Sequence, residues 1–114
     1  MASDQLILAG GGHSHALILQ HWAMRPQRRP QGAIILVSDE STALYSGMVP
    51  AYISRIDDRR GISIDLRWLA QQAGVAFMRA EIAGLDPHYG ELHLVDRPAL
   101  PFTRLSFNVG AVTP

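Results

Sequence analysis

The sequence contains no cysteine and no lysine. The first absence excludes disulfides, thiolate metal sites and dithiol redox chemistry within the chain. The second removes the phosphate-gripping lysine of a P-loop and any lysine Schiff base, so that all ten basic residues are arginine. Acidic and basic residues are equal in number, and nothing in that balance suggests a nucleic-acid footprint or a membrane-seeking face. Long apolar runs are also missing: residues 6–9 and 33–37 are far short of a membrane span, so no integral membrane segment is expected. The N-terminus lacks the basic region, apolar core and small-residue cleavage site of a signal peptide. A cytoplasmic location is the default, and peripheral membrane contact is compatible with it. At 114 residues the chain has room for one domain with its own core and not for two.

What is present has an order. Residues 5–9 read as a short buried strand, ended by Gly10-Gly11-Gly12. Residues 13–24 read as a helix that is apolar on most faces (Ala16, Leu17, Ile18, Leu19, Trp22, Ala23, Met24), which predicts deep burial. Pro26 closes it. A polar loop leads to a second apolar, β-branched run at 33–37, which stops at Ser38-Asp39-Glu40. Strand, glycine turn, helix and strand make a βαβ unit, whose crossover is right-handed almost without exception.

Residues 41–61 are less regular, with Ser46-Gly47-Met48-Val49-Pro50 as a turn. A second helix is expected next, with Ser63 as its N-cap and Gly74 just past its end. Leu66, Leu69 and Ala73 would share one face of it, with Trp68 at the flank. Residues 75–78 read as a third strand. Residues 81–85 and 91–95 alternate in polarity around Asp86-Pro87-His88-Tyr89-Gly90 and predict a hairpin. Residues 105–109 read as a buried strand closed by Gly110. The expected fold class is therefore α/β, a Rossmann-like parallel sheet with flanking helices and an inserted antiparallel β-hairpin. After residue 110 such a sheet would ordinarily run on into another helix, so residues 1–114 are expected to be one partial domain of something longer.

The glycine turn carries the chemistry. A dinucleotide fingerprint has glycine at the first, third and sixth places after a strand. Gly10 permits the tight bend, and Gly12 lets backbone approach a pyrophosphate without a Cβ in the way. Gly11 and Ser14 belong to the same turn and to the first helical turn, whose N–H groups and dipole favour phosphate. The sixth place is His15 rather than a small residue, with Ala16 beside it to provide some of the close packing. The acid expected at a ribose should end the second strand. Ser38 stands directly after the apolar run, and Asp39 is the first carboxylate. A solvated turn aspartate explains Asp39 equally well.

Other groupings weigh less. His13 and His15 lie two apart and face different sides of a helix, so with His21 they make a poor metal set, and no metal is expected. His88 and His93 read as surface residues. The Asp57-Asp58-Arg59-Arg60 cluster is explained as a solvated loop with weak ion pairs, and Arg28 and Arg29 lie in a polar loop and need no ligand. No serine–histidine–acid arrangement and no paired carboxylates are present, and no catalytic side chain is named.

The glycine turn through His15, Tyr45-Ser46-Gly47-Met48-Val49-Pro50, Ile64-Asp65-Leu66-Arg67, Leu85-Asp86-Pro87 and Gly110 together resemble one group. They are similar to the N-terminal part of the FAD-containing, NADH dehydrogenase-like branch of the pyridine nucleotide–disulfide oxidoreductase superfamily. Within it the subgroup associated with selenide, water dikinase is the most similar. The resemblance runs along essentially the whole chain, and the Tyr-Ser-Gly-Met-x-Pro stretch is its most particular part. It implies a flavoprotein that binds FAD in this domain and takes hydride from NAD(P)H bound by a second one. Gly10, Gly12 and His13 would then face the pyrophosphate, and Ser38 or Asp39 the adenosine ribose. Ser46, Gly47, Met48 and Pro50 would approach the flavin, backbone near Ile82 the adenine, and Gly110 would lie in a second glycine turn near the cofactor. Without cysteines, transfer to a disulfide is out, and a quinone or another small acceptor is favoured. The 114-residue chain alone would not turn over. The alternatives are a plain NAD(P)-binding Rossmann domain and a non-catalytic α/β interaction module. The oligomeric state, a homo-oligomer included, is left open, and any link to selenide, water dikinase rests on resemblance.

Overall fold

The computed structural model describes residues 4–45, 55–57 and 61–108. In chain order the strands are β1 (Gln5–Ala9), β2 (Ala33–Ser38), β3 (Thr42–Tyr45), β4 (Arg55–Asp57), β5 (Gly61–Asp65), β6 (Ala76–Arg79), β7 (Ile82–Asp86), β8 (Glu91–Leu94), β9 (Arg97–Pro101) and β10 (Arg104–Phe107). The helices are α1 (His13–Met24), between β1 and β2, and α2 (Leu66–Gln72), between β5 and β6. β10, β1, β2 and β6 form a parallel sheet in that order, while β3-β5-β4 and β7-β8-β9 are antiparallel sheets.

The first two strands are apolar at nearly every position because both faces of the parallel sheet are covered. Successive side chains alternate between faces. Leu8, Ile34 and Leu36 turn to one side, where they pack with Ala16, Leu19 and Trp22 of α1 and with Leu66, Leu69 and Ala70 of α2. Ile7, Ala9 and Val37 turn to the other, against Leu92 and Leu94 of β8. Each fully buried leucine or isoleucine in these layers contributes about 1.5–3 kcal/mol. The result is three layers: helices, parallel sheet, and a three-stranded antiparallel sheet.

The βαβ unit, the α/β class and the antiparallel insertion are as expected. Four expectations are corrected. α1 buries one face only, because a helix lying on a sheet can turn only part of its circumference inward. Leu17, Ile18 and Met24 are exposed. The N-cap of α2 is Asp65, whose carboxylate accepts from Trp68 N at 3.0 Å, and Ser63 lies inside β5. Residues 41–61, read as irregular, include β3, β4 and the start of β5 in a sheet of their own. The strand read at 105–109 and as buried is Arg104–Phe107, at the edge of the parallel sheet, with Phe107 exposed. The hairpin gains a third strand, β9. Among the described residues no helix is long and apolar enough to cross a membrane.

Candidate functional site

In the parallel sheet the chain runs β1, β2, β6 outward in one direction and then returns to lay β10 on the other side of β1. The order therefore reverses at β1. In open α/β sheets the crevice beyond the carboxyl ends of the strands at such a switch point is where ligands bind. The glycine turn follows β1 at that place.

Gly10 has φ +101°, a conformation that costs a side-chain-bearing residue, and its N–H donates to Val37 O at 2.7 Å. Gly12 is the N-cap of α1, with no side-chain cap and no acidic residue in the first helical turn. Its N–H donates to Asn108 O at 2.9 Å, and Asn108 N donates to Ala9 O at 2.8 Å. A Cβ on Gly12 would overlap the Asn108 side chain, and one on Gly11 would lie 2.6 Å from Leu66 Cδ1 and 2.9 Å from Ser38 Oγ. The close approach that requires glycine at position 12 is thus to Asn108, beyond the end of β10. His13 and Ser14 are exposed at the start of α1.

His15, the departure from the fingerprint, is 3% exposed. Its Nδ1 lies 2.7 Å from Gly10 O and its Nε2 2.8 Å from Ser106 Oγ. A carbonyl can only accept, so Nδ1 carries the hydrogen. Burial pushes the imidazole below its usual titration range, only partly countered by the bond to Gly10. The neutral ring therefore has Nε2 as acceptor for the Ser106 hydroxyl. Ala16 beside it is fully buried against the sheet, which provides the close helix–strand packing.

At the end of β2, the buried Ser38 hydroxyl donates to Glu40 O at 2.8 Å and faces Gly11. Asp39 is exposed, and its carbonyl accepts from Arg79 Nε at 3.1 Å. Ala80 N donates to Ser38 O at 3.0 Å, which brings the start of β7 to the same end of the sheet. There Ile82, Ala83, Gly84, Leu85 and Phe107 line an open apolar groove of about 340 Å³. The structure thus gathers Gly10, Gly11, Gly12, His13, Ser14, Ser38 and Asp39 at one end of the parallel sheet, with Ile82 nearby. Ser46, Gly47, Met48, Pro50 and Gly110 lie outside the described residues.

Ser106, Asn108 and Arg79 were not singled out from the sequence. A signal for the first two exists: in residues 105–109, Leu105, Phe107 and Val109 alternate with the polar Ser106 and Asn108. His13, His15 and His21 do not converge as a metal set. The group that brings three donor atoms within 4.8 Å among the described residues is Asp86, Glu91 and His93, on the β7–β8 hairpin. Asp86 there already accepts from His88 N and Tyr89 N at the turn.

The fold has a counterpart among solved structures. The sulfide:quinone oxidoreductase of the hyperthermophilic bacterium Aquifex aeolicus matches it with a TM-score of 0.61 and 19% identity. The match covers 91% of this chain and 24% of that one. What the two share is the fold. No protein-family model matches the sequence, and no curated protein matches it significantly. This chain spans about a quarter of the length of its structural neighbour.

Proposed function

We propose that residues 1–114 form a single, partial dinucleotide-binding domain, the FAD-binding N-terminal part of a flavoprotein NAD(P)H oxidoreductase that passes electrons to a non-disulfide acceptor such as a quinone. The observation that carries this reading is the glycine turn and helix start placed at the switch point of a parallel sheet, where the N-cap of α1 is a glycine with no side-chain cap. Its fold likeness to an oxidoreductase and the sequence resemblance support the same reading. One feature separates it from a plain NAD(P)-binding Rossmann domain: a doubly wound domain carries helices on both faces of its sheet, whereas here β7-β8-β9 covers one.

The residues present fit such a ligand. Gly10, Gly11, Gly12, His13 and Ser14 would face the pyrophosphate, with Gly10 and Gly12 shaping the turn, since their N–H groups donate to Val37 O and Asn108 O. Asp39 would take the ribose, since the Ser38 hydroxyl is engaged with Glu40. The segment at Ile82 would lie by the adenine. The residues at the flavin end, Ser46 to Pro50 and Gly110, are assigned by resemblance. FAD when bound supplies hydride and electron transfer, and the protein's part is to bind and orient it. NAD(P)H would enter as co-substrate on a domain outside this chain.

The test is calorimetric titration of the chain with FAD, NAD and ADP. Saturable binding of FAD, tighter than NAD, supports the proposal, and preference for NAD overturns it. Ser14→Glu sharpens the result. A carboxylate in the first turn of α1 favours the helix dipole yet repels a pyrophosphate, so folding stability should hold or rise while FAD affinity falls about tenfold or more. Unchanged affinity would place the phosphates elsewhere.

A further inference from the structure

His15 stands where the dinucleotide fingerprint has its third glycine, and the space that glycine would leave is filled by an imidazole that reaches two elements. On one side it holds Gly10 O at 2.7 Å, the carbonyl of the positive-φ residue that makes the bend. On the other it meets Ser106 Oγ at 2.8 Å, on β10, ninety-one residues away in sequence. Two residues further along, the carbonyl of Asn108 receives Gly12 N. The first and third glycines of the turn are thus both tied to the β10 segment, Gly10 through a side chain and Gly12 directly. Nothing about phosphate recognition requires this, because His15 is buried and its two nitrogens are both engaged.

We propose that His15 and Ser106 are a positioning pair, a side-chain clamp that fixes the conformation of the glycine turn against β10 and so presets it for a dinucleotide pyrophosphate. The pair's purpose rests on the dinucleotide reading above, but its geometry does not. The clamp substitutes for the third glycine: instead of letting strand and helix approach through a missing side chain, it joins them through a specific one. Preorganisation of this kind strengthens binding by removing the cost of ordering the turn when the ligand arrives.

The test uses the full chain as wild type, His15→Ala, His15→Asn and Ser106→Ala. Two quantities are measured: FAD affinity by calorimetry, and amide hydrogen exchange of residues 10–13 in the ligand-free protein. Imidazole ¹⁵N shifts report the tautomer, expected to be neutral with hydrogen on Nδ1. His15→Ala should weaken FAD about tenfold and speed exchange in the turn. Asparagine places an amide N–H where the imidazole Nδ1–H stood but has nothing in place of Nε2, so His15→Asn should restore the Gly10 bond alone and, like Ser106→Ala, bring both readouts part of the way back to wild type. Ser106 is exposed, so Ser106→Ala should fold normally and fall between wild type and His15→Ala. Wild-type exchange rates in Ser106→Ala and His15→Ala, or no rescue by a folded His15→Asn, overturn the clamp. If wild type binds no FAD, the dinucleotide reading fails by itself. Exchange then decides the clamp: faster exchange in the variants upholds it, and unchanged exchange overturns it.

Discussion

Gly12 and Asn108 are packed so closely that neither can be enlarged or moved alone. Gly12 N donates to Asn108 O at 2.9 Å, and a Cβ at position 12 would lie 2.6 Å from Asn108 Cγ and 2.8 Å from Asn108 O. The backbone of Gly12, at φ −71° and ψ 171°, suits any residue, so the constraint is steric and not conformational. Gly12→Ala should therefore destabilise the fold by about 1–3 kcal/mol, as overpacking does. Among the described residues Asn108 Oδ1 is a buried side-chain atom without a hydrogen-bond partner. Asn108→Ala alone should then cost little, since it removes an unpaired polar atom. The double variant should recover only part of the loss, because the Asn108 main-chain oxygen stays in place. Urea denaturation midpoints of the three variants check this, and full recovery would show that the side chain alone sets the limit.

Asp65 begins α2 by accepting from Trp68 N at 3.0 Å. Asp65→Ala should cost about 1 kcal/mol, and Asp65→Asn, which keeps an acceptor oxygen, much less. Ser63→Ala should leave the helix start unaffected, because Ser63 is a strand residue paired with Leu44 and Arg55. Thermal unfolding of the three variants distinguishes the two candidate caps. An effect at Ser63 equal to that at Asp65 would contradict the observed boundary.

The parts of the fold that the sequence disclosed are those in which local pattern and tertiary need agree. β1 and β2 are apolar at consecutive positions because two layers cover them, and Leu66, Leu69 and Ala73 share a buried face because α2 meets the sheet on one side. The glycine turn and its place after β1 were legible for the same reason. β9 was not: Pro98 and Pro101 argue against a strand, and they are tolerated because β9 lies at the edge of its sheet. β3, β4 and β5 form an antiparallel sheet, and no short-range pattern announces that. Ser106 and Asn108 reach the glycine turn through contacts that span nearly the whole chain, so their role emerges only once β10 lies beside β1.

Arg29, which on the sequence reading lies in a polar loop and needs no ligand, is a clamp on the end of α2. Its Nε and Nη2 donate to Gly74 O at 3.1 and 2.9 Å, and Nη1 donates to Pro30 O at 2.8 Å. A lysine has one ammonium and cannot reproduce this fork. Arg29→Lys should lose about 1–2 kcal/mol, close to the loss in Arg29→Ala. Gly74, at φ +71°, should also resist substitution, and a Cβ there would sit 3.3 Å from Arg29 Nε. Gly74→Ala is expected to cost about 1 kcal/mol or more. Denaturant titrations test both. An Arg29→Lys protein as stable as wild type would mean that the forked contact contributes nothing in solution.

His15 should make the stability of the domain depend on pH in one direction. Burial lowers the folded-state pKa of its imidazole below the ordinary 6.5. As pH falls past that ordinary value, the unfolded chain takes up a proton that the folded chain still refuses, and the balance shifts toward unfolding. The stabilisation is thus fully present above the unfolded pKa and is lost progressively as pH falls toward the folded one. The groups that His15 bonds, Gly10 O and the Ser106 hydroxyl, carry no charge that could reverse the sign. The difference in slope between wild type and a variant at position 15 isolates His15 from the other four histidines. Denaturation free energies measured between about pH 5 and 8 should fall on the acid side in the wild type, and more gently in His15→Asn, which has nothing to titrate there. Equal slopes in the two proteins would mean that the imidazole is solvated in the native state, and the buried neutral ring would have to be abandoned.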